Sequence, residues 1–248
     1  MKSPDRLQDL RKRWDRAGRT DPFWAVLSRP DKTGNRWTSD EFFETGVEEM
    51  AEVMALAGRF VTLDGHGRAL DFGCGPGRLT QALTRYFDHV DGVDISPSMI
   101  ELANKLNQFP DRSAYHLNTA SDLRSFDDSS FDFIYSTITL QHVEPMYARS
   151  YLREFIRVLR PGALLIFQLP GRRTGTRSKV SRFIPAVVMR TYRRVRYRNH
   201  PAAVMNGVPR DEVVSYLQSL GADVLDVEAN NAAGSGWESF RYTFRRAR

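Results

Sequence analysis

The stretch from Arg68 to Asp94 constrains this chain more than any other. Arg68-Ala-Leu-Asp-Phe72 is a short apolar run that reads as a strand. Asp71-Phe-Gly73-Cys74-Gly75-Pro-Gly77 follows it, with three alternating glycines that let a backbone turn tightly and approach a ligand closely. Arg78–Phe87 has helical spacing, and the free N–H groups at its start face back toward that turn. His89–Asp94 reads as a second strand and ends on a carboxylate nineteen residues after Gly75. Strand, glycine turn, helix, strand and acid in register describe one βαβ unit, which commits the chain to an α/β fold.

The same alternation continues. Pro97–Asn107 reads as a helix, Ser113–Leu117 as a third strand and Phe131–Ile138 as a fourth. Pro145–Leu159 is a helix with proline in its first turn, Pro161-Gly162 a turn, and Ala163–Leu169 a fifth strand. Pro209–Leu220 is a helix closed by Gly221, before strands at Asp223–Glu228 and Phe240–Phe244. Ahead of this core stand two helical stretches, Pro4–Ala17 and Ser39–Phe60, the second opened by a capping pattern at Thr38 or Ser39. The Trp- and Pro-containing segment between them reads as a loop. The pattern predicts a Rossmann-like, mostly parallel sheet with helices on both faces. It forms one domain: an N-terminal helical cap over 1–62, a core over 67–169, an insertion over 171–208 and a closing helix and strand pair over 209–248. The cap either folds over the ligand as a lid or covers an edge of the sheet. Ligands of such sheets bind outside the carboxyl ends of the strands.

Charge is concentrated in one place. Residues 171–200 hold ten Lys plus Arg and no acid, so of a net +6 the remainder carries −4. Three readings fit this insertion: a solvated helix face, a clamp for an anionic or polyhydroxylated acceptor, and an arm for RNA. No apolar run approaches the roughly 20 residues of a membrane span. The N-terminal MKSPDRLQDLRKRW is charged, so no secretory leader is expected there, and a cytoplasmic location is expected. The single cysteine, Cys74, allows no disulfide within the chain and no cysteine-rich zinc cluster.

The glycine loop is not a dinucleotide fingerprint. The final glycine of G-x-G-x-x-G is replaced by Arg78 when counted from Gly73, and by Thr80 when counted from Gly75. A carboxylate at Asp94 suits the two hydroxyls of a ribose. Loop and acid together therefore suggest a nucleoside ligand without a pyrophosphate.

LDFGCGPGRLT followed by VDGVDISPSMIELA resembles the first two cofactor motifs of class I S-adenosylmethionine-dependent methyltransferases, and FDDSSFDFIYSTITLQHV with LREFIRVLRPGALLIFQLP resembles that family's later signature. The resemblance covers about residues 67 to 169. It implies a seven-stranded sheet with an antiparallel last strand. It implies S-adenosylmethionine as cofactor, its methionine end held by Asp71 and the loop of Gly73, Cys74, Gly75 and Gly77, and its ribose by Asp94 with Ile95 beside it. Thr119 stands where the family usually has an acid for the adenine amino group, so Asp122 or a backbone group of Ala120 or Ser121 takes that part. Thr137, at the end of the fourth strand, joins the cofactor set.

The acceptor side follows the fourth strand, Ser136-Thr-Ile-Thr-Leu-Gln141-His142-Val-Glu144. It lacks the Asn/Asp-Pro-Pro-Tyr/Phe of amine methylation and the strand-end acid of metal-assisted catechol methylation, so no metal is expected. A loop cysteine beneath the cofactor is badly placed for pyrimidine C5 chemistry. His142, with a reference pKa of about 6.5, is the expected general base toward a hydroxyl, or else merely packs on the cofactor. Glu144 orients it or binds a hydroxyl, and Gln141 and His200 are candidate substrate contacts. His66 and His89 sit at the wrong strand ends, and His116 is read as structural. The expected activity is methylation of a small-molecule hydroxyl, favouring a sugar, glycoside or natural product. RNA methylation and a non-catalytic cofactor-binding module are the alternatives.

Overall fold

The computed structural model describes residues 6–62, 67–174, 204–234 and 236–248. Most of the basic insertion, His66 and His200 lie outside the described residues. The elements are α1 (Arg6–Thr20), α2 (Pro22–Val26), α3 (Ser39–Ala57), β1 (Arg68–Phe72), α4 (Arg78–Leu83), β2 (His89–Asp94), α5 (Pro97–Lys105), β3 (Ser113–Leu117), β4 (Phe131–Ser136), α6 (Pro145–Val158), β5 (Leu159–Arg173), α7 (Arg210–Ser219), β6 (Ala222–Asn230) and β7 (Trp237–Arg246). They build one seven-stranded sheet ordered β3-β2-β1-β4-β5-β7-β6. β1 to β5 run parallel to their neighbours. β7 is inserted antiparallel between β5 and β6. The order reverses between β1 and β2 on one side and β4 on the other, which opens a crevice at their carboxyl ends.

Strand alternation decides which helix goes where. Ala69, Val90, Phe133, Tyr135, Leu164 and Ile166 face Met50, Val53 and Met54 of α3 and Leu79 and Leu83 of α4. Leu70, Phe72, Ile134, Leu165, Phe167, Tyr242 and Phe244 face Tyr151, Leu152 and Phe155 of α6 and Val213 and Leu217 of α7. Burying each large apolar side chain stabilises the fold by about 1.5–3 kcal/mol. Asp91, buried mid-strand on β2, is satisfied by Arg68 Nε at 2.6 Å and His116 Nε2 at 2.6 Å, which gives His116 a structural partner.

The helix starts follow local chemistry. Thr38 and Glu41 exchange a full capping box at α3, the Thr38 hydroxyl accepting from Glu41 N at 3.3 Å and Glu41 Oε2 accepting from Thr38 N at 3.1 Å. Ser96 caps α5 ahead of Pro97. Three differences from the sequence reading have local causes. The segment read as a loop contains α2, because Asp21 accepts from Trp24 N and Pro22 occupies the first turn. Five residues are too few to show a helical period. Pro161-Gly162 is not a turn before the strand: β5 starts at Leu159, and its pairing with β4 shifts between Phe131↔Leu159 and Phe133↔Leu164. β4 stops at Ser136, two residues early, because Ile138 takes a left-handed φ of 55° that no strand accommodates.

Candidate active site

The carboxyl ends of β1, β2 and β4 open into a cleft of about 740 Å³, its mouth included. Gly73, Gly75, Asp94, Ile95, Thr137 and His142 line it. The floor is the glycine loop, folded over the end of β2 by hydrogen bonds from Gly73 N (2.7 Å) and Cys74 N (3.0 Å) to the Val93 carbonyl. Two of its glycines are dictated by space. A Cβ on Gly73 would lie 2.0 Å from Thr139 Oγ1, and one on Gly77 would lie 2.4 Å from the Tyr115 hydroxyl; both residues have positive φ.

Asp94 closes the second strand with both carboxylate oxygens aligned. Oδ2 accepts from Gly75 N at 3.0 Å and Oδ1 from Ser96 N at 2.8 Å. Burial raises its carboxyl above the ordinary value, against the pull of those amides. The Ile95 amide adds a third backbone hydrogen bond to this carboxylate, which lines the cleft. Asp71 lies deeper. It is fully buried beneath the loop, accepts from Thr80 Oγ1 at 2.7 Å, and is pushed up to about 7 by desolvation, which outweighs Thr80 and Arg78. It supports the loop from below and does not line the cleft.

Other expected cofactor residues are also turned away. The Cys74 side chain is buried against Ala103 and Tyr115, where desolvation raises its thiol. Gly77 caps α4. Ala120, Ser121 and Asp122 do not form the wall. Asp122 instead makes a bidentate pair with Arg124, at 2.8 and 2.6 Å, outside the residues that line the cleft. Asn118 lines the cleft in their place. Its N–H donates to the Asp94 carbonyl at 2.9 Å, and its amide spans Asp122 O (2.8 Å) and Ala120 N (3.1 Å). Sequence offered a signal for Asn118, since it is the first residue after β3.

His142 sits on the cleft wall and is only 3% exposed. Nδ1 is 3.1 Å from the Val204 carbonyl, Nε2 is 3.2 Å from Gln141 Nε2, and the Trp14 ring meets the imidazole edge-on at 5.3 Å. Glu144 does not orient it. Its carboxylate takes Arg6 of α1 at 2.6 and 2.8 Å, an ion pair that forms because α1 crosses over the start of α6. Gln141 does not reach the cleft either, being buried between His142 and Gln168.

The remaining wall comes largely from the N-terminal cap, which the sequence left as either a lid or an edge cover. Leu7, Leu10 and Trp14 of α1 and Val26 of α2 cover the cleft, together with Met99 and Tyr151. α1 is held there by Asp15, whose carboxylate accepts from Ser98 N at 3.0 Å and whose carbonyl accepts from Ser98 Oγ at 2.8 Å. Among the described residues, no group of three or more His, Cys, Asp or Glu is arranged to hold a metal, and no helix is long and apolar enough to cross a membrane.

A methyltransferase-domain family model matches residues 70–167, the span from β1 to β5. Over 107 residues the chain is 32% identical to demethylmenaquinone methyltransferase of Leptospira interrogans, covering 41% of this chain and 42% of that one. Over 160 residues it is 26% identical to ubiquinone biosynthesis O-methyltransferase of Xanthomonas campestris, covering 54% and 64%. The matched stretch is thus under two thirds of either relative's length. The fold of magnesium protoporphyrin IX methyltransferase from Synechocystis, solved with S-adenosylhomocysteine bound, superposes with a TM-score of 0.67 at 14% identity, over 97% of this chain and 99% of that one. An open cleft at the switch point, a carboxylate lining it at the end of β2, and a floor of close-approach glycines fit a nucleoside cofactor. Residues 70–167 match a methyltransferase domain, and the fold is that of a methyltransferase solved with S-adenosylhomocysteine, so S-adenosylmethionine is the nucleoside cofactor this cleft fits.

Proposed function

We propose that this chain methylates a hydroxyl of a small molecule, with a sugar, glycoside or other natural product as the favoured acceptor. The cap, core, insertion and closing helix and strand pair act as one catalytic domain. The cofactor supplies an electrophilic methyl group on a sulfonium. Asp94, its carboxylate aligned by the Gly75 and Ser96 amides, receives the two ribose hydroxyls. The loop of Gly73 and Gly75 lets backbone approach the methionine end, with Asp71 behind it, and Ile95, Thr137 and Asn118 complete the wall. Leu7, Leu10 and Trp14 exclude water, which strengthens each polar contact inside. The wall holds the acceptor in line with the breaking carbon–sulfur bond. His142 takes the hydroxyl proton at Nε2 as the carbon–oxygen bond forms.

The observation that carries this reading is the histidine, a titratable base on the same wall as Asp94 and the glycine loop. The Xanthomonas relative's O-methyltransferase name supports an oxygen acceptor. The ten cations of residues 171–200 favour an acceptor that is anionic or rich in hydroxyls.

A radiolabelled methyl-transfer screen over glycans, phenols and RNA tests the proposal. Transfer to glycans or phenols is expected. Transfer to RNA alone would replace the small-molecule reading, and binding without turnover on any acceptor class would favour a regulatory module. His142→Ala is expected to lower kcat on the order of 10²–10⁴-fold with S-adenosylhomocysteine affinity unchanged. Undiminished transfer would remove the base role.

A further inference from the structure

Behind His142 runs a chain of buried side chains that ends on a backbone N–H, and its direction is fixed throughout. Ile138 N donates to Gln168 Oε1 at 3.1 Å. A backbone N–H only donates, so the atom of Gln168 facing it is the oxygen and its amide nitrogen faces the other way. That nitrogen donates to Ser239 Oγ at 2.8 Å and to Gln141 Oε1 at 3.2 Å. Gln141 therefore shows its oxygen to Gln168 and its NH₂ to His142 Nε2, 3.2 Å away. On the far edge of the ring, Nδ1 is 3.1 Å from the Val204 carbonyl, which only accepts. Gln141, His142, Gln168 and Ser239 are each 3% exposed, so water does not compete for these bonds.

We propose that Gln168 is a positioning residue: held by the Ile138 N–H, it orients Gln141, which keeps His142 neutral with its hydrogen on Nδ1 and Nε2 bare. A second hydrogen on Nε2 would point at the N–H of Gln141, so the relay opposes the imidazolium form. An acceptor hydroxyl would take over the Nε2 lone pair from Gln141 by exchanging one hydrogen bond. The catalytic use of this tautomer rests on the proposed hydroxyl chemistry, but the tautomer itself does not.

Two further observations belong to the same device. Ile138, which starts the relay, is a β-branched residue at φ 55° on the cleft wall, a conformation that needs surrounding structure to hold it. The segment returning from the insertion docks on the other end, with Asn206 N donating to the Gln141 carbonyl at 2.7 Å and Val208 N to the Pro170 carbonyl at 2.9 Å. The relay thus joins β5, β7, the turn after β4 and the root of the insertion.

Two-bond nitrogen–proton spectra of the full chain, with histidine labelled in the heavy nitrogen isotope and His142→Gln for assignment, read the tautomer directly. Wild type is expected to show a bare Nε2. Gln168→Glu presents oxygen where Gln168 donates, so Gln141 turns over, its oxygen faces the ring, and the hydrogen moves to Nε2. The His142 titration midpoint then rises by about 1–3 pH units. Ser239→Ala is expected to leave the tautomer as in wild type, because Ile138 still fixes Gln168. If Gln168→Glu does not fold, Gln141→Glu makes the same test one link closer, with a carboxylate drawing the hydrogen to Nε2. A wild-type protein with hydrogen on Nε2, or a folded Gln168→Glu protein with unchanged tautomer and midpoint, overturns the relay. A bare Nε2 alongside full methyl transfer by His142→Ala would instead sink the base role and leave the relay standing.

Discussion

Asp71 and Asp94 show how one residue type is set to two tasks toward the carboxyl ends of adjacent strands. Asp94 faces the cleft and holds two amides, Gly75 N and Ser96 N, each bond to a charged acceptor being worth about 1.5–3 kcal/mol. Removing the carboxylate also removes the expected ribose contacts. Asp94→Ala is therefore expected to weaken S-adenosylhomocysteine binding by about 10- to several-hundred-fold in titration calorimetry. Unchanged affinity would remove Asp94 from the cofactor set. Asp71 is buried, and desolvation lifts its carboxyl to about 7. Its folded value lies above the unfolded value of about 3.9, so the protonated folded state carries no penalty below that pH, and stability falls as pH rises from there through about 7. Asp71→Asn lacks this loss. Its melting temperature relative to wild type is expected to climb between about pH 4 and 7 and level off above, with 1 kcal/mol appearing as about 2–4 °C. A constant difference over that range would mean that Asp71 does not titrate there. Both acids are visible in sequence at the ends of strands. Their opposite environments are not, because burial depends on Thr80, Arg78 and Glu49 arriving from other elements.

At the scale of elements, α1 matters most for the site. Its apolar residues Leu7, Leu10 and Trp14 form the cleft roof, and its ends are held by Asp15 at Ser98 and by Arg6 at Glu144. The Arg6–Glu144 pair is exposed and worth little, about 0–1 kcal/mol. The Asp15 contacts are the firmer attachment. Asp15→Ala is expected to speed S-adenosylhomocysteine release in stopped-flow measurements while far-UV dichroism stays unchanged, and Arg6→Ala to have a smaller effect. Equal release rates in all three proteins would show that α1 does not retain the cofactor. The element boundaries of the core were largely legible, since β1, β2 and β3 coincide with their apolar runs. α2 was not, and neither was the early end of β4, where the left-handed Ile138 is held by Gln168 from another strand.

Across the whole molecule, two cores either side of one sheet carry the stability that the strained site requires. Phe155, fully buried between α6 and the sheet, touches Phe72 at 5.0 Å between ring centroids. Phe155→Ala is expected to cost about 3–5 kcal/mol in urea unfolding with the transition still single. A loss under 1 kcal/mol would show that the α6 face is loosely packed. Sheet topology also explains why the site residues of β1, β2 and β4 meet: parallel strands all present their carboxyl ends on one side. The sequence by itself determined the α/β class, the strand–loop–helix unit, the acid that ends β2 and the histidine that follows β4. These rest on local periodicity, on glycines that only close packing tolerates, and on spacing along one chain. Only the tertiary structure decided that Glu144 answers Arg6, that Asp122 answers Arg124, that Asn118 and α1 wall the cleft, and that Gln168 reaches His142 through Gln141. The reason is that hydrogen-bond direction and desolvation are properties of neighbours distant in sequence, set only when the sheet brings them together.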